Sequence, residues 1–204
     1  MFPLFEAIKI IDGVPQHPDW HQARMDDSFL RYFGRPGAPL LARVLKVPVE
    51  FRKGIVKCRF LYDRTTTAME FAEYVPKRVR TLQLVTGDHL EYSMKFTDRY
   101  ALEELLKQKG SCDDILIVRN GRITDTSYTN IVLFNGERWV TPIYPLLAGT
   151  GRNRLISEGR IAEADITVEN LRYYKSFRLI NAMLGFDEQE ELPVDLIMKK
   201  SFYL

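Results

Sequence analysis

The sequence predicts a mixed α+β protein built as two lobes, each a mostly antiparallel sheet with helices packed on it. Three observations carry that reading. The chain has 204 residues and a hydrophobic fraction of 46%, enough apolar side chain for a real core in one globular unit or two small lobes. Short alternating or β-branched runs recur through both halves, punctuated by Gly, Pro and Asn. Two Asn-Gly pairs, at 120–121 and 135–136, each separate two apolar runs, which is the strongest short-range signal for a hairpin.

Taken in order, Phe2 to Ile11 alternates as a strand and turns at Asp12-Gly13, followed by Val14-Pro15. From Pro18, the segment PDWHQARMDDSFLRYFG places Trp20, Ala23, Met25, Phe29, Leu30 and Phe33 on a broad helical stripe, which Gly34 to Pro39 ends. A second short helix is expected near Leu40 to Leu45. Three β-rich runs follow, Ile55 to Tyr62, Thr65 to Tyr74 and Val79 to Val85, and complete the sheet of an N-terminal lobe. The break at Gly87-Asp88 divides the chain into lobes 1–88 and 89–204. Lys95 then stands at the entrance of the helix TDRYALEELLKQKG, with Thr97 expected as cap, Glu103 paired to Lys107 and Gly110 as terminator. The two Asn-Gly hairpins supply four antiparallel strands. LLAGTGRNRLISEG reads as a glycine turn opening a helix, and IAEADITVENL, SFRLINAML and ELPVDLI supply the remaining strands and turns.

Composition narrows the function. Lys and Arg total 29 against 27 Asp and Glu, so a net charge of +2 offers no broad basic surface for nucleic acid or an anionic membrane. Cys58 and Cys112 lack metal or redox spacing and read as small core residues of a protein in a reducing cytoplasm. Glu6 and Lys9 interrupt the early apolar run, so no signal peptide is expected and the mature protein should start at or near Met1. No stretch reaches the length of a spanning helix. His17, His21 and His89 have no metal or triad spacing and are assigned structural or surface roles, with no metal site. RYFG and the final SFYL read as core or dimer packing.

The residues with chemistry to offer lie along the second half. A lone lysine before a helix is usually a solvated charge. Thirty positions after Lys95, however, Asp125 ends a hairpin strand and is followed by Thr126, Ser127, Tyr128, Thr129 and Asn130. That run suits either a buried, hydrogen-bonded carboxylate or an ordinary Asp/Ser turn. Further on, Gly149-Thr150-Gly151 opens a helix whose free N–H groups and positive dipole end would hold a phosphate.

This order of lysine, acid with hydroxyl cluster and glycine turn resembles the class IV aminotransferases, the fold-type IV pyridoxal-phosphate enzymes. ITDTSYTN (123–130) is similar to the family's acid-bearing stretch, LLAGTGR (146–152) to its phosphate turn, and LFEAIKIIDGVPQHPDWHQARM to its opening strand, hairpin and helix. The resemblance covers nearly the whole chain. It implies pyridoxal 5'-phosphate held as an imine by Lys95, with Asp125 at the pyridine nitrogen and Arg24, Thr150 and Gly151 at the phosphate. Asn181 joins the cofactor set. It also implies a cofactor-binding C-terminal lobe at 89–204 and a homodimer whose partner completes the active-site wall. Chemically, an imine-forming lysine must be neutral, so its site must depress the ammonium by desolvation and nearby positive charge, a role open to Arg99 one helical turn on. A carboxylate keeps the ring nitrogen protonated, and fixed donors hold the dianionic phosphate.

Three departures stand out. The acid is aspartate where the family has glutamate, Thr150-Gly151 replaces an apolar residue followed by threonine, and the chain is short between Arg24 and Lys95. KFTDR and RLINAML resemble the 4-amino-4-deoxychorismate lyase branch, which implies release of pyruvate and 4-aminobenzoate. The alternatives are a branched-chain or D-amino-acid aminotransferase and a non-catalytic binding protein of the same fold. Arg99, Arg152, Arg178, Tyr92 and Tyr128 are substrate-side candidates, or else solvated charges and packing aromatics.

Overall fold

The structure is a computed structural model and describes residues 2–198. The SFYL segment therefore lies outside the described residues. Contacts divide the chain into two units: residues up to Pro76 together with Met94–Asp98, and Lys77–Ser93 together with the chain from Arg99 onward.

In the first unit, strand β1 (Leu4–Ile11) turns through Asp12 and Gly13, both with positive φ, into the short β2 (Val14–Pro15). Helix α1 (Pro18–Phe33) follows, with proline at its first position and Gly34 in the left-handed conformation behind it. Then come helix α2 (Leu41–Val44) and strands β3 (Ile55–Tyr62) and β4 (Thr67–Glu73). These strands form an antiparallel sheet in the order β2-β1-β3-β4. The core lies between this sheet and α1, where Leu4, Ile8, Ile10, Phe60 and Tyr62 meet Met25 and Phe29. Ala23 and Leu30, expected on the packed stripe of α1, face solvent, while His21 and Ser28 are buried instead. The contact face of α1 is rotated so that His21 meets Glu6 on β1.

The second unit holds β5 (Leu82–Thr86), α3 (Tyr100–Leu106), β6 (Asp114–Arg119), β7 (Arg122–Thr126), β8 (Asn130–Phe134), β9 (Trp139–Pro142) and α4 (Thr150–Ser157). It continues with β10 (Ala162–Ala164), β11 (Ser176–Ile180), β12 (Leu192–Pro193) and β13 (Ile197–Met198). They make one sheet of nine strands in the order β10-β9-β8-β7-β6-β5-β13, with β11 on β8 and β12 on β11. The β6-β7-β8-β9 run and β11 are antiparallel, whereas β5 is parallel to β6, β13 to β5, and β10 to β9. Its core is mainly aliphatic, built on Leu82, Leu116, Ile131 and Leu133 around Phe177.

The hairpin at Asn120-Gly121 forms as expected, with φ of 49° and 76° at the two turn residues. The second hairpin uses a longer loop. Asn135 accepts the N–H groups of Glu137 and Arg138 on its side chain, and Phe134 pairs with Trp139. An Asx turn replaces the two-residue connection.

Four expectations need correcting. The run Val79–Val85 does not join the N-terminal sheet: as β5 it pairs with Asp114–Val118, and the adjacent buried residues Leu84 and Val85 give it the two-sided burial of a parallel strand. The helix after Lys95 starts only at Tyr100, with Arg99 as its cap residue, so 95–99 is not a helical turn. Thr97 does not cap it; its hydroxyl donates to the carbonyl of Phe2 at 2.5 Å. Finally, Lys107 pairs with Glu104 rather than Glu103.

Candidate active site

In the first unit, β1 supplies the frame on which Lys95 is hung. The Lys95 carbonyl accepts the N–H of Phe5 at 3.0 Å, and Phe96 bridges to Leu4. The half-buried side chain lays its ammonium over the Phe5 ring, 5.3 Å from the centroid. Lys95 is thus an extended-chain residue fixed against a strand, which holds its amine more firmly than a frayed helix entrance would.

Arg24 lies on the same unit, on the face of α1 that meets β1. Its Nε donates to Glu6 Oε1 at 2.9 Å and its Nη2 to Glu6 Oε2. One turn earlier on α1, His21 Nδ1 lies 2.6 Å from the same Oε2. Glu6 is fully buried, yet Leu4, Ile8 and Ile10 on its own strand face are all apolar. Burial alone would raise its carboxyl, but the Arg24 guanidinium and the His21 ring outweigh this and hold it at about 2. The family resemblance implies a role for Arg24 but none for Glu6, its partner. The available signal was a single acid in phase with the apolar face of an alternating strand, which demands a buried cation.

In the second unit, Asp125 is the next-to-last residue of β7 and the point at which β7 meets β8, opposite Asn130. Its Oδ1 accepts Asn130 Nδ2 at 2.8 Å and its Oδ2 accepts the Leu147 N–H at 2.9 Å. Burial raises its carboxyl to about 6, against the lowering effect of those two donors and of Arg152. The buried-carboxylate reading of this stretch is therefore the one realised. The hydroxyls around it are spent locally: Thr126 and Thr129 bond each other at 2.7 Å, and Ser127 donates to the buried Asp114 at 3.0 Å.

The same pair anchors the glycine turn. Asn130 Nδ2 also donates to the Leu147 carbonyl at 2.9 Å, so Leu147 is held through both its N–H and its C=O, two residues before Gly149. Helix α4 begins at Thr150 with no side-chain cap, leaving its first N–H groups without helical acceptors. Both glycines are dictated by packing. A Cβ on Gly149 would sit 2.0 Å from Asn130 Oδ1, and one on Gly151 would sit 2.9 Å from the Asn181 carbonyl. Asn181 in turn closes its own turn by accepting the N–H groups of Met183 and Leu184, and it donates to the Tyr128 carbonyl at 3.4 Å. Asp125, Asn130, Leu147 and the start of α4 therefore share one hydrogen-bonded frame. The frame joins an acid that needs a cationic partner to an uncapped helix start approached closely by backbone, and this donor set fits pyridoxal phosphate.

The substrate-side candidates are placed as follows. Arg99 donates to the Tyr92 hydroxyl at 3.2 Å and to the Ser127 carbonyl at 2.8 Å. Arg152 is buried and directs its guanidinium to the Pro142 carbonyl at 2.8 Å and to Glu163 at 2.5 Å. Arg178 lies over the rings of Trp139 and Phe186, 4.9 and 4.8 Å from their centroids, where the two rings meet edge to face. Tyr128 is half-buried, with Lys77 5.9 Å from its ring. Lys95 and Arg24 thus belong to one unit, and Asp125, Thr150, Gly151, Asn181, Arg99, Tyr128 and Arg152 to the other.

The model of the amino-transferase class IV family matches residues 3–187; the chain belongs to that family. It is 37% identical over 187 residues to an uncharacterized protein of Haemophilus influenzae strain Rd, covering 91% of this chain and all of that one. Among solved structures it resembles a candidate 4-amino-4-deoxychorismate lyase from Haemophilus somnus 129PT, at 36% identity and a TM-score of 0.84, covering 91% of this chain and 98% of that chain. A hypothetical aminotransferase from Mycobacterium tuberculosis, in its α-ketoglutarate- and PMP-bound form, shares the fold at 18% identity and a TM-score of 0.75, covering 96% of this chain and 87% of that one.

Proposed function

We propose that this protein is a pyridoxal-phosphate-dependent lyase that acts on 4-amino-4-deoxychorismate and releases pyruvate and 4-aminobenzoate. The observation that carries the cofactor reading is the single frame formed by Asp125, Asn130, Leu147 and the start of α4. The lyase reading rests on the similarity to the Haemophilus somnus protein over nearly all of both chains, together with KFTDR and RLINAML.

Pyridoxal phosphate, when bound, supplies an aldehyde that condenses with an amine and an electron sink for bonds broken near the substrate's amino carbon. Lys95 would supply the amine that holds it, and its Nζ would carry the proton during the reaction. Asp125 keeps the ring nitrogen protonated, which its buried carboxylate does at low energetic cost only when a cation stands against it. The N–H groups of Thr150 and Gly151, the Thr150 hydroxyl and the Arg24 guanidinium hold the phosphate. Arg99 and Tyr128 lie on the substrate side, and a second copy of the chain completes the site of a homodimer.

Borohydride reduction of protein incubated with pyridoxal phosphate should leave a phosphopyridoxyl group on Lys95, detected by peptide mass. A colourless protein without the adduct refutes the cofactor reading. Supplied with 4-amino-4-deoxychorismate, the enzyme should release pyruvate and transfer no amino group to 2-oxoglutarate. Transfer from an L- or D-amino acid without pyruvate release selects the aminotransferase reading, which the family's own description favours.

A further inference from the structure

We infer that Glu6 is a positioning residue: with His21 it fixes the plane of the Arg24 guanidinium, so that this arginine meets the cofactor's phosphate already oriented. The inference rests on the reading of Arg24 as a phosphate-binding residue.

Three features of the first unit carry it. Glu6 grips Arg24 through two N–H groups of the guanidinium, Nε and Nη2, one on each carboxylate oxygen. A two-point contact of this kind fixes a planar fork in rotation as well as position, which a single contact cannot do. Three of the five guanidinium N–H groups are not engaged by Glu6, and their directions are set once the plane is set. The carboxylate cannot swing away, because His21 holds Oε2 at 2.6 Å and the strand face around it is formed by Leu4, Ile8 and Ile10.

A buried ion pair placed here only for stability would be an unfavourable choice, since two apolar residues of similar volume commonly serve as well or better. What the charges provide is direction. His21 and Arg24 are three positions apart and share a face of α1, so one strand acid addresses both. The side chain of Arg24 keeps 12% of its surface exposed while that of Glu6 keeps none. The guanidinium is therefore the member of the set that can reach a ligand, and the acid acts through it. Pre-orientation lowers the entropy lost when the phosphate arrives, which appears as affinity.

The test compares equilibrium binding of pyridoxal phosphate with that of pyridoxal, which lacks the phosphate, followed by the absorbance of the protein-bound imine. In Glu6→Gln, affinity for pyridoxal phosphate should fall about tenfold or more, the loss expected when a charge-assisted contact is removed, while affinity for pyridoxal stays within about twofold. In an Arg24→Ala background, Glu6→Gln should cause no further loss. His21→Asn, which loosens one oxygen of the carboxylate, should give a smaller loss of the same selectivity and serves if Glu6→Gln does not fold. Equal losses for both ligands, or additive losses in the double variant, overturn the inference. If Arg24→Ala alone leaves affinity for pyridoxal phosphate unchanged, the reading of Arg24 fails, and the role inferred for Glu6 fails with it.

Discussion

Replacing Asp125 by Asn should change how the stability of the cofactor-free protein depends on pH, in a direction the structure fixes. The carboxyl is buried and titrates near 6 in the folded protein against 3.8 for the free side chain. A folded value above the unfolded one means that the native state holds its proton to higher pH. Stability is then unimpaired by this group below about 3.8, declines as pH rises, and carries the full penalty above about 6. The difference of roughly two units corresponds to about 3 kcal/mol, lost across pH 4 to 6.5. The amide introduced by Asp125→Asn carries no charge, so this slope should vanish in the variant. That amide would also face two donors, Asn130 Nδ2 and the Leu147 N–H, adding a pH-independent loss of about 1–3 kcal/mol. Urea unfolding of both proteins at half-unit steps from pH 4 to 7.5 isolates the effect, because every other titrating group cancels in the difference. The wild-type minus variant stability should shrink by about 3 kcal/mol across the window. A constant difference refutes the claim that Asp125 is a strained buried acid. The same reasoning predicts that a cation against Asp125 relieves the penalty, so affinity for pyridoxal phosphate should strengthen as pH rises through 6.

Glu6 predicts the opposite slope at lower pH. Its folded value of about 2 lies below the ordinary 4.5, so its contribution is present above 4.5 and is lost as pH falls toward 2. Glu6→Gln should flatten acid unfolding by up to about 3 kcal/mol over that range, measured by circular dichroism. Gly149→Ala cannot fit while Asn130 keeps its place. Melting of the cofactor-free protein should drop by several degrees for a cost of about 1–3 kcal/mol, and pyridoxal phosphate affinity should fall with it. A neutral variant would refute the shared frame. Phe60→Ala, in the fully buried core of the first unit, should lower stability by about 3–5 kcal/mol in urea titration.

The elements were legible where one local signal decided them. Proline at the start of α1 and Gly34 at its end bracketed the helix, and Asn120-Gly121 had no other good use than a tight hairpin. What the sequence could not reveal was partner choice. Val79–Val85 reads as one more strand of a meander, yet as β5 it takes β6 as a parallel neighbour, and nothing in a run of apolar residues names the strand beside it. Likewise Thr97 has the right residue type for a helix cap, but its hydroxyl is taken by the carbonyl of Phe2, 95 positions away. Competition between local and distant acceptors is settled only in three dimensions.

The site divides along the same line. Lys95, Asp125, Thr150 and Gly151 are proposed from residue types that follow one another in an order the chemistry needs. Glu6, His21 and Asn130 act on other groups of the protein rather than on a ligand, and of these only Glu6 leaves a sequence signal, as an acid in phase with the apolar face of β1. Asp125 shows what that omission conceals. It is one methylene shorter than the family's glutamate, and its two oxygens are taken by Asn130 at the start of β8 and by the loop before α4. A longer side chain at 125 would have to push Leu147 and the glycine turn outward or give up one of the two bonds. Asp125→Glu is thus expected to disturb the phosphate turn rather than strengthen the ring contact, with a larger loss of affinity for pyridoxal phosphate than for pyridoxal. An equal or improved affinity for both would show that the acid and the turn are independent.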